Sequence, residues 1–367
     1  PSSSPEPRPP AGSPGSRPST IPGRVTPPTE LTNWVSVVPA SPKNARVTVE
    51  KGVDDAQPPA VGSAISYTIT ADVPDAPVVD YYNVVDQYDK RVNLPENQIM
   101  LQMVEAKDGD VPLVKGEDYT LTPAVGTDGK TNFWTAEFTE AGRKKMIAQR
   151  KSNDTKIVMS LEGTLKEKIG DEGLVENKAI LLPGAPANNW KPGSGEVPPP
   201  EYPNAKVVSK FGKVTITKTS SVDETKKLEG AEFQVYKCKP TSKPAKNFES
   251  VDATLDTKLT VDGKDTFVTD DQGKVTIDGL RNNDWEDNEE VADPGYYCLV
   301  ETKAPDGFEL QSRPIAFQVL ASNSTKDNKY TLETTVKDVP KNGGFNLPLT
   351  GAAGVGVLIG TGALLVA

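Results

Sequence analysis

One pattern constrains this chain more than any other: short stretches in which apolar and polar residues alternate, each cut off by Gly, Pro or Asp. Arg46-Val-Thr-Val-Glu50, Ala64-Ile-Ser-Tyr-Thr-Ile-Thr70 and Lys156-Ile-Val-Met-Ser-Leu161 are of this kind. So are Val214-Thr-Ile-Thr-Lys-Thr219 and Phe233-Gln-Val-Tyr236. Alternation puts residues i, i+2 and i+4 on one face, as in half-buried strands. The chain also has 33 prolines and only 6% aromatic residues, which suits strands and turns better than a helical bundle. One helical turn is expected, at Glu140 to Gln149. The fold class expected is all-β, in two tandem domains.

The boundaries follow from composition. Residues 1–33 are rich in Pro and Ser with scarcely any large apolar side chain, so a disordered or polyproline-type tail is expected. A short segment at 34–43 leads into a first β domain, 44–190. A linker rich in Pro and Gly, 191–203, separates it from a second, 204–341. Residues 342–351 form another linker, and 352–367 carry no charge at all.

Composition also excludes function classes. The chain has no histidine, which removes Ser-His-Asp and Cys-His catalysis and every His-ligated metal site. No Gly-rich phosphate loop or nucleophile elbow is present, so an enzyme is not expected, and no cofactor. A formal net charge of −10 argues against a nucleic-acid partner. The acidic run Asp284–Asp293 lacks the Gly-centred alternation of a calcium loop and reads as a solvated loop, leaving no metal site.

Strand parity singles out six ionisable or amide residues. Lys51 shares a face with Val47 and Val49, Asp86 with Tyr82 and Val84, and Asn177 with Val175, Ala179 and Leu181. The face of Asp86 is the least defined, because Tyr81 and Val85 make the opposite face apolar too. In the second domain Lys218 follows Val214 and Ile216, Glu301 follows Tyr297 and Leu299, and Asp338 follows Leu332 and Val336. An unpaired charge on a buried face is very costly, so each trio is expected to meet. Burial lowers the pKa of a lysine and raises that of a carboxyl. A neutral amine beside a protonated acid is equipped to attack an amide or acid carbonyl, with the carboxyl shuttling the proton. Buried ion pairs without a covalent bond are the alternative.

Several motifs resemble those of a known family. Leu347-Pro348-Leu349-Thr350-Gly351 resembles the LPxTG signal cut by sortases, and the apolar run after it resembles the membrane stop of such signals. That run is shorter than the roughly 20 residues of a spanning helix, and no basic tail or signal peptide is seen, so the sequence is expected to be part of a longer chain. Trp34-Val-Ser-Val-Val38-Pro-Ala-Ser-Pro42-Lys43 resembles the pilin motif WxxxVxVYPK, with Ala40 and Ser41 departing from it. The stretch from Val61 to Ile69, with Asp72-Val-Pro-Asp75 after it, resembles the middle domain of SpaA-type backbone pilins. Four ordered segments, ending in Tyr297-Cys-Leu-Val-Glu301-Thr-Lys-Ala-Pro-Asp-Gly-Phe308, resemble a CnaB domain and its E-box.

The resemblance implies Ig-like (Cna-type) β-sandwiches, each holding a lysine isopeptide bond. By it Lys51 joins Asn177 with Asp86 as proton shuttle, and Lys218 joins Asp338 with Glu301. Asp338 stands where the family commonly has Asn, and Asn342 is the fallback partner. Cys238 and Cys298, in an exported protein, suggest one disulfide. The function implied is a major pilin of the SpaA type, joined by sortase from Thr350 to Lys43 of a neighbouring subunit. Expected partners are sortase, other subunits, peptidoglycan and host-surface receptors. The expected location is the cell wall, after transient retention in the membrane. A wall-anchored adhesin that does not polymerise is the alternative.

Overall fold

The alternating runs form strands that end where the interrupting residues stand. β1 (Val49–Asp54) and β2 (Ala64–Asp72) are separated by a turn in which Gly62 has a φ of 97°, a conformation that favours glycine. β3 (Asn83–Asp89), β4 (Val92–Asn93), β5 (Ile99–Ala106) and β6 (Gly109–Pro112) follow. β7 (Tyr119–Val125) and β8 (Thr131–Phe138) lead to helix α1 (Glu140–Gln149), the expected helical stretch. The Thr139 hydroxyl caps it by accepting the Gly142 N–H at 3.0 Å. β9 (Lys156–Leu165) and β10 (Leu174–Leu182) complete the first half.

The second half opens with β11 (Asn204–Ser220), then β12 (Glu232–Pro240), β13 (Glu249–Ser250), β14 (Ala253–Lys258) and β15 (Phe267–Val268). β16 (Lys274–Arg281), β17 (Trp285–Glu286), β18 (Glu289–Glu290), β19 (Tyr296–Lys303), β20 (Ile315–Phe317) and β21 (Thr331–Asp338) close it. The computed structural model describes residues 47–55, 60–151, 154–166, 168–186, 190–194 and 202–341. The expected tail, the Trp34–Lys43 motif, Asn342, the Leu347–Gly351 signal and the final apolar run lie outside them. Among the described residues no helix is long and apolar enough to cross a membrane.

The first half has two layers. One sheet runs β1-β2-β9-β5-β6, with β4 also on β9; the other contains β10-β3-β8-β7. Ile69, Tyr67, Met159 and Leu161 on one layer share a buried core with Tyr82, Val84, Ala179 and Leu181 on the other. The second half repeats the plan. β16 and β21 flank β11 on one side, and β13-β20-β19-β12-β14 form the opposing sheet, with β15 also on β12. The outer face of β3 is also covered: Val85 packs with Phe133, Ile180, Leu182 and Trp190 in a separate cluster. This explains why the sequence left the inward face of that strand poorly defined.

A single strand serves both halves. The expected second domain begins at Asn204, yet Asn204–Lys210 of β11 pair antiparallel with β10. From Phe211 the same strand pairs with β16, and from Lys213 it also pairs in parallel with β21. The Pro/Gly stretch at 191–203 therefore precedes a continuous strand, and backbone hydrogen bonding runs through the junction. The acidic run adds a second fastening. It was expected as a solvated loop, but β17 and β18 make a hairpin whose turn residues Asp287 and Asn288 have φ of 51° and 64°. Asp287 donates its N–H to Asp55 at 3.0 Å, and Asn288 accepts the Val208 N–H at 2.8 Å. Trp285 Nε1 donates to the Val208 carbonyl at 2.6 Å, and Lys210 Nζ sits 3.3 Å from the centroid of the Trp285 ring system. Buried Arg281 reaches Asp55 at 3.4 Å. Asp287, Glu289, Glu290 and Asp293 are exposed, as expected of a solvated stretch; the contacts of the tip were not foreseen because its partners are distant in sequence. Among the described residues no group of three carboxylate or thiol side chains is placed to hold a metal ion.

Candidate functional site: two buried lysine clusters

In the first half β1 carries Lys51 with Val49 and Val53 pointing inward, and its side chain has 0% exposure. Across the core, on β3, Asp86 is equally buried and forms an ion pair with Lys51. Asn177 lies on β10 with 0% exposure. The register places Asn177 opposite Tyr88 and Ala179 opposite Asp86, so Asp86 and Asn177 are diagonal neighbours on one face. Neither amide atom of Asn177 makes a hydrogen bond of ordinary geometry. The amide is nonetheless close enough to Asp86 to favour its ionised form. Burial dominates the electrostatics: it lowers the Lys51 pKa and raises that of Asp86, and their mutual attraction offsets only part of either shift.

In the second half the lysine comes from β11. Lys218 Nζ is 2.5 Å from Asp338 Oδ1 and 2.7 Å from Glu301 Oε1, with all three side chains buried. β21 lies parallel to β11 with Val336 opposite Lys218, which makes Asp338 the diagonal neighbour. Glu301 projects from β19 in the opposing sheet, where Phe233 is its register partner. Its other oxygen accepts the Gln311 N–H at 2.8 Å. Burial raises the Glu301 pKa; Lys218 and the Gln311 N–H oppose the rise and the Asp338 charge adds to it. The backbone around the lysine is held on both sides. Lys218 donates its N–H to Gly273 O at 2.7 Å and accepts the Leu228 N–H at 3.0 Å. Gly273, with a φ of 66°, approaches so closely that a Cβ there would lie 2.6 Å from the Lys218 carbonyl oxygen.

The six residues selected by parity therefore fall in two clusters, each with a lysine, a carboxyl from a facing or neighbouring strand, and an amide or acid carbonyl beside it. Lys43, Thr350 and the rest of the Leu347–Gly351 signal lie outside the described residues. Cys238 and Cys298 form a disulfide between β12 and β19 with their Cα atoms 5.7 Å apart. Sequence reasoning missed Tyr67. It shares a strand face with Ile65 and Ile69 and reads as ordinary core, but its ring lies 4.9 Å from Lys51 Nζ and its buried hydroxyl has no hydrogen-bond partner. The tyrosine in an otherwise aliphatic alternation was the signal available.

Known proteins resemble this chain in sequence and fold. A family model described as the SpaA prealbumin-like fold domain matches residues 212–336. The fimbrial subunit type 1 of Actinomyces viscosus is 39% identical over 94% of this chain and 66% of its own length. The fimbrial protein FimP of Actinomyces oris is 35% identical, with a TM-score of 0.67 over 80% of this chain and 68% of that one. The full-length major pilin SpaD of Corynebacterium diphtheriae is 29% identical, with a TM-score of 0.59 over 81% of this chain and 66% of that one. The chain thus spans about two thirds of the length of these relatives. By its sequence and its fold, it belongs to the family of Gram-positive major pilins.

Proposed function

We propose that the protein is a shaft subunit of a covalently polymerised pilus on the Gram-positive cell surface, with each β domain closed by an internal isopeptide bond. The observation that carries this reading is the repeated buried cluster of lysine, carboxyl and amide or acid carbonyl. In the first, Lys51 Nζ attacks Asn177 Cγ, the Cγ–Nδ2 bond breaks, and Asp86 relays the lysine proton to the departing ammonia. In the second, Lys218 Nζ attacks Asp338 Cγ, a Cγ–Oδ bond breaks, and the oxygen leaves as water with one lysine proton relayed by Glu301 and one carboxyl proton. The domain limits at 44–190 and 204–341 and their Ig-like, Cna-type sandwich character belong to the same proposal, with β11 common to both. The role is structural; the only chemistry the chain performs is on itself.

Assembly uses residues at its two ends. A sortase cleaves between Thr350 and Gly351 and holds Thr350 as a thioester; the Lys43 amine of another subunit displaces it and extends the fibre, whereas a peptidoglycan amine ends it. Membrane retention before sorting and contact with host-surface receptors are part of this reading. The test is expression with the cognate sortase. Lys43→Ala is expected to abolish the ladder of high-mass polymers while keeping wall attachment, and Thr350→Ala to abolish both. Persistence of the ladder in Lys43→Ala would assign the acceptor to another lysine. A wall-linked monomer in the parent strain would replace the pilin with a wall-anchored adhesin.

A further inference from the structure

The buried carboxyl of Glu301 has its two oxygens in different company. Oε1 lies 2.7 Å from Lys218 Nζ, the nitrogen that Asp338 Oδ1 approaches at 2.5 Å, yet it makes no hydrogen bond of ordinary geometry. Oε2 accepts the backbone N–H of Gln311 at 2.8 Å. Gln311 stands in the loop between β19 and β20, and that loop is fastened. Glu309 donates its N–H to the Val339 carbonyl and Lys341 donates its own to Gly307, both at 2.8 Å, so the loop is tied to the residues that follow Asp338. Gln311 Nε2 donates to Ser250 Oγ on β13 at 3.0 Å. In a neutral carboxyl one oxygen carries the proton and the other, the carbonyl oxygen, is the better acceptor. An N–H aimed at Oε2 makes that the carbonyl oxygen. The acidic proton is left on Oε1, beside Lys218 and Asp338.

We propose that Gln311 is a positioning residue for the second crosslink: its N–H fixes the Glu301 proton on Oε1, so that one oxygen serves both halves of the relay. This rests on the isopeptide reading of the second cluster. Once Lys218 Nζ has attacked Asp338 Cγ, Oε1 gives its proton to the leaving oxygen, which already carries the carboxyl proton. It takes the surplus lysine proton in exchange. The Cγ–Oδ bond breaks, water leaves, and Glu301 ends as it began. Without the backbone donor the proton settles on either oxygen, and on Oε2 it lies on the side turned to the loop. The charged groups facing Glu301 are Lys218 on β11 and Asp338 on β21. A donor to a carboxylate favours its ionised form, so the Gln311 N–H holds the Glu301 pKa below the level that burial alone would set. The first cluster has no counterpart: Asp86 Oδ1 pairs with Lys51, and Oδ2 has no hydrogen-bond partner.

The test uses full chains made in a short cell-free pulse, caught in urea, diluted into buffers of different pH and followed by mass. Three are compared: the parent; Gln311→Ala, which keeps the N–H; and a chain in which a suppressor tRNA places the α-hydroxy acid of glutamine at 311, so that an ester oxygen replaces the N–H. The parent and Gln311→Ala are expected to lose one water at the same rate. The ester chain is expected to lose it on the order of 10- to 100-fold more slowly, with the alkaline limb of the rate moved to higher pH. Ammonia loss at the first cluster and closure of Cys238–Cys298 are expected to match the parent in all three. Equal rates of water loss in the ester chain and the parent would overturn the role of Gln311 and leave the isopeptide reading standing. Slowing with an unmoved limb, slowing at both clusters alike, equal slowing in Gln311→Ala, or failure of the disulfide to close would overturn it in favour of a packing role. A parent chain that loses no water would remove the isopeptide reading of the second cluster itself.

Discussion

The two lysine clusters solve one problem with different surroundings. Both bury an amine against a carboxyl from a facing strand; the second carbonyl lies diagonally beside the carboxyl in the first, Asn177 with Asp86, and beside the lysine in the second, Asp338 with Lys218. The first uses an amide and stands alone. The second uses an acid, and the disulfide between β12 and β19 lies within the stretch that its tie closes. The difference separates two consequences of a crosslink: what it contributes to stability, and what chemistry is needed to make it. On the proposed reading, the first half has one tie and no second crosslink beside it. In the second the disulfide still constrains the chain if the lysine is lost.

The largest expected effect breaks that comparison directly. Lys218 and Asp338 are 120 residues apart, and Lys51 and Asn177 enclose a loop of about the same length. On the chain-entropy model each tie is worth about 5 kcal/mol, and the disulfide, which closes 60 residues, about 4 kcal/mol. Lys51→Ala should therefore make the first half strongly sensitive to heat and trypsin. Lys218→Ala should have a milder effect until a reductant opens Cys238–Cys298, and then a comparable one. Reductant alone should cost the parent somewhat less than Lys218→Ala does, because the disulfide closes the shorter loop. Equal melting and digestion for both lysine variants without reductant would show that the disulfide does not compensate.

A smaller effect sharpens the chemical half of the comparison. Reaction requires a neutral lysine and a protonated acid. Burial lowers Lys51 from 10.5 and raises Asp86 from 3.8, so crosslinking in the first half should slow toward acid as Lys51 gains a proton and toward alkali as Asp86 loses one. In the second half the alkaline limb belongs to Glu301, which the Asp338 charge helps keep protonated. Asp338→Asn removes that charge. The variant should still crosslink, now releasing ammonia, with its alkaline limb moved toward lower pH. Failure to crosslink, or a limb that does not move, would separate Glu301 from the role of shuttle.

Much of this was legible in the sequence, and the reason is the strand period. A repeat of two residues commits every side chain to a face, so Lys51, Asn177, Lys218, Glu301 and Asp338 could be placed inside from their neighbours alone. Asp86 was harder because Trp190 and its companions cover the outer face of β3 as well, which erases the alternation. The junction was not legible. A Pro/Gly stretch announces a linker, but nothing local reveals that Asn204–Lys210 will pair with β10 or that Asp287 and Asn288 will meet Asp55 and Val208. Those contacts depend on where distant segments arrive. Tyr67 was visible as core, but an unpaired hydroxyl is a property of the packed state.

The central claim is that both lysines are covalently spent, by different reactions, in the folded chain. The intact mass of the purified protein tests it most directly. The account predicts a mass below that of the sequence by one ammonia and one water, in addition to the two hydrogens lost at Cys238–Cys298, with Lys51 and Lys218 absent from free tryptic peptides. A mass reduced only by the disulfide hydrogens, with both lysines recovered in unmodified peptides, would contradict it and leave two buried ion-pair clusters in place of two crosslinks.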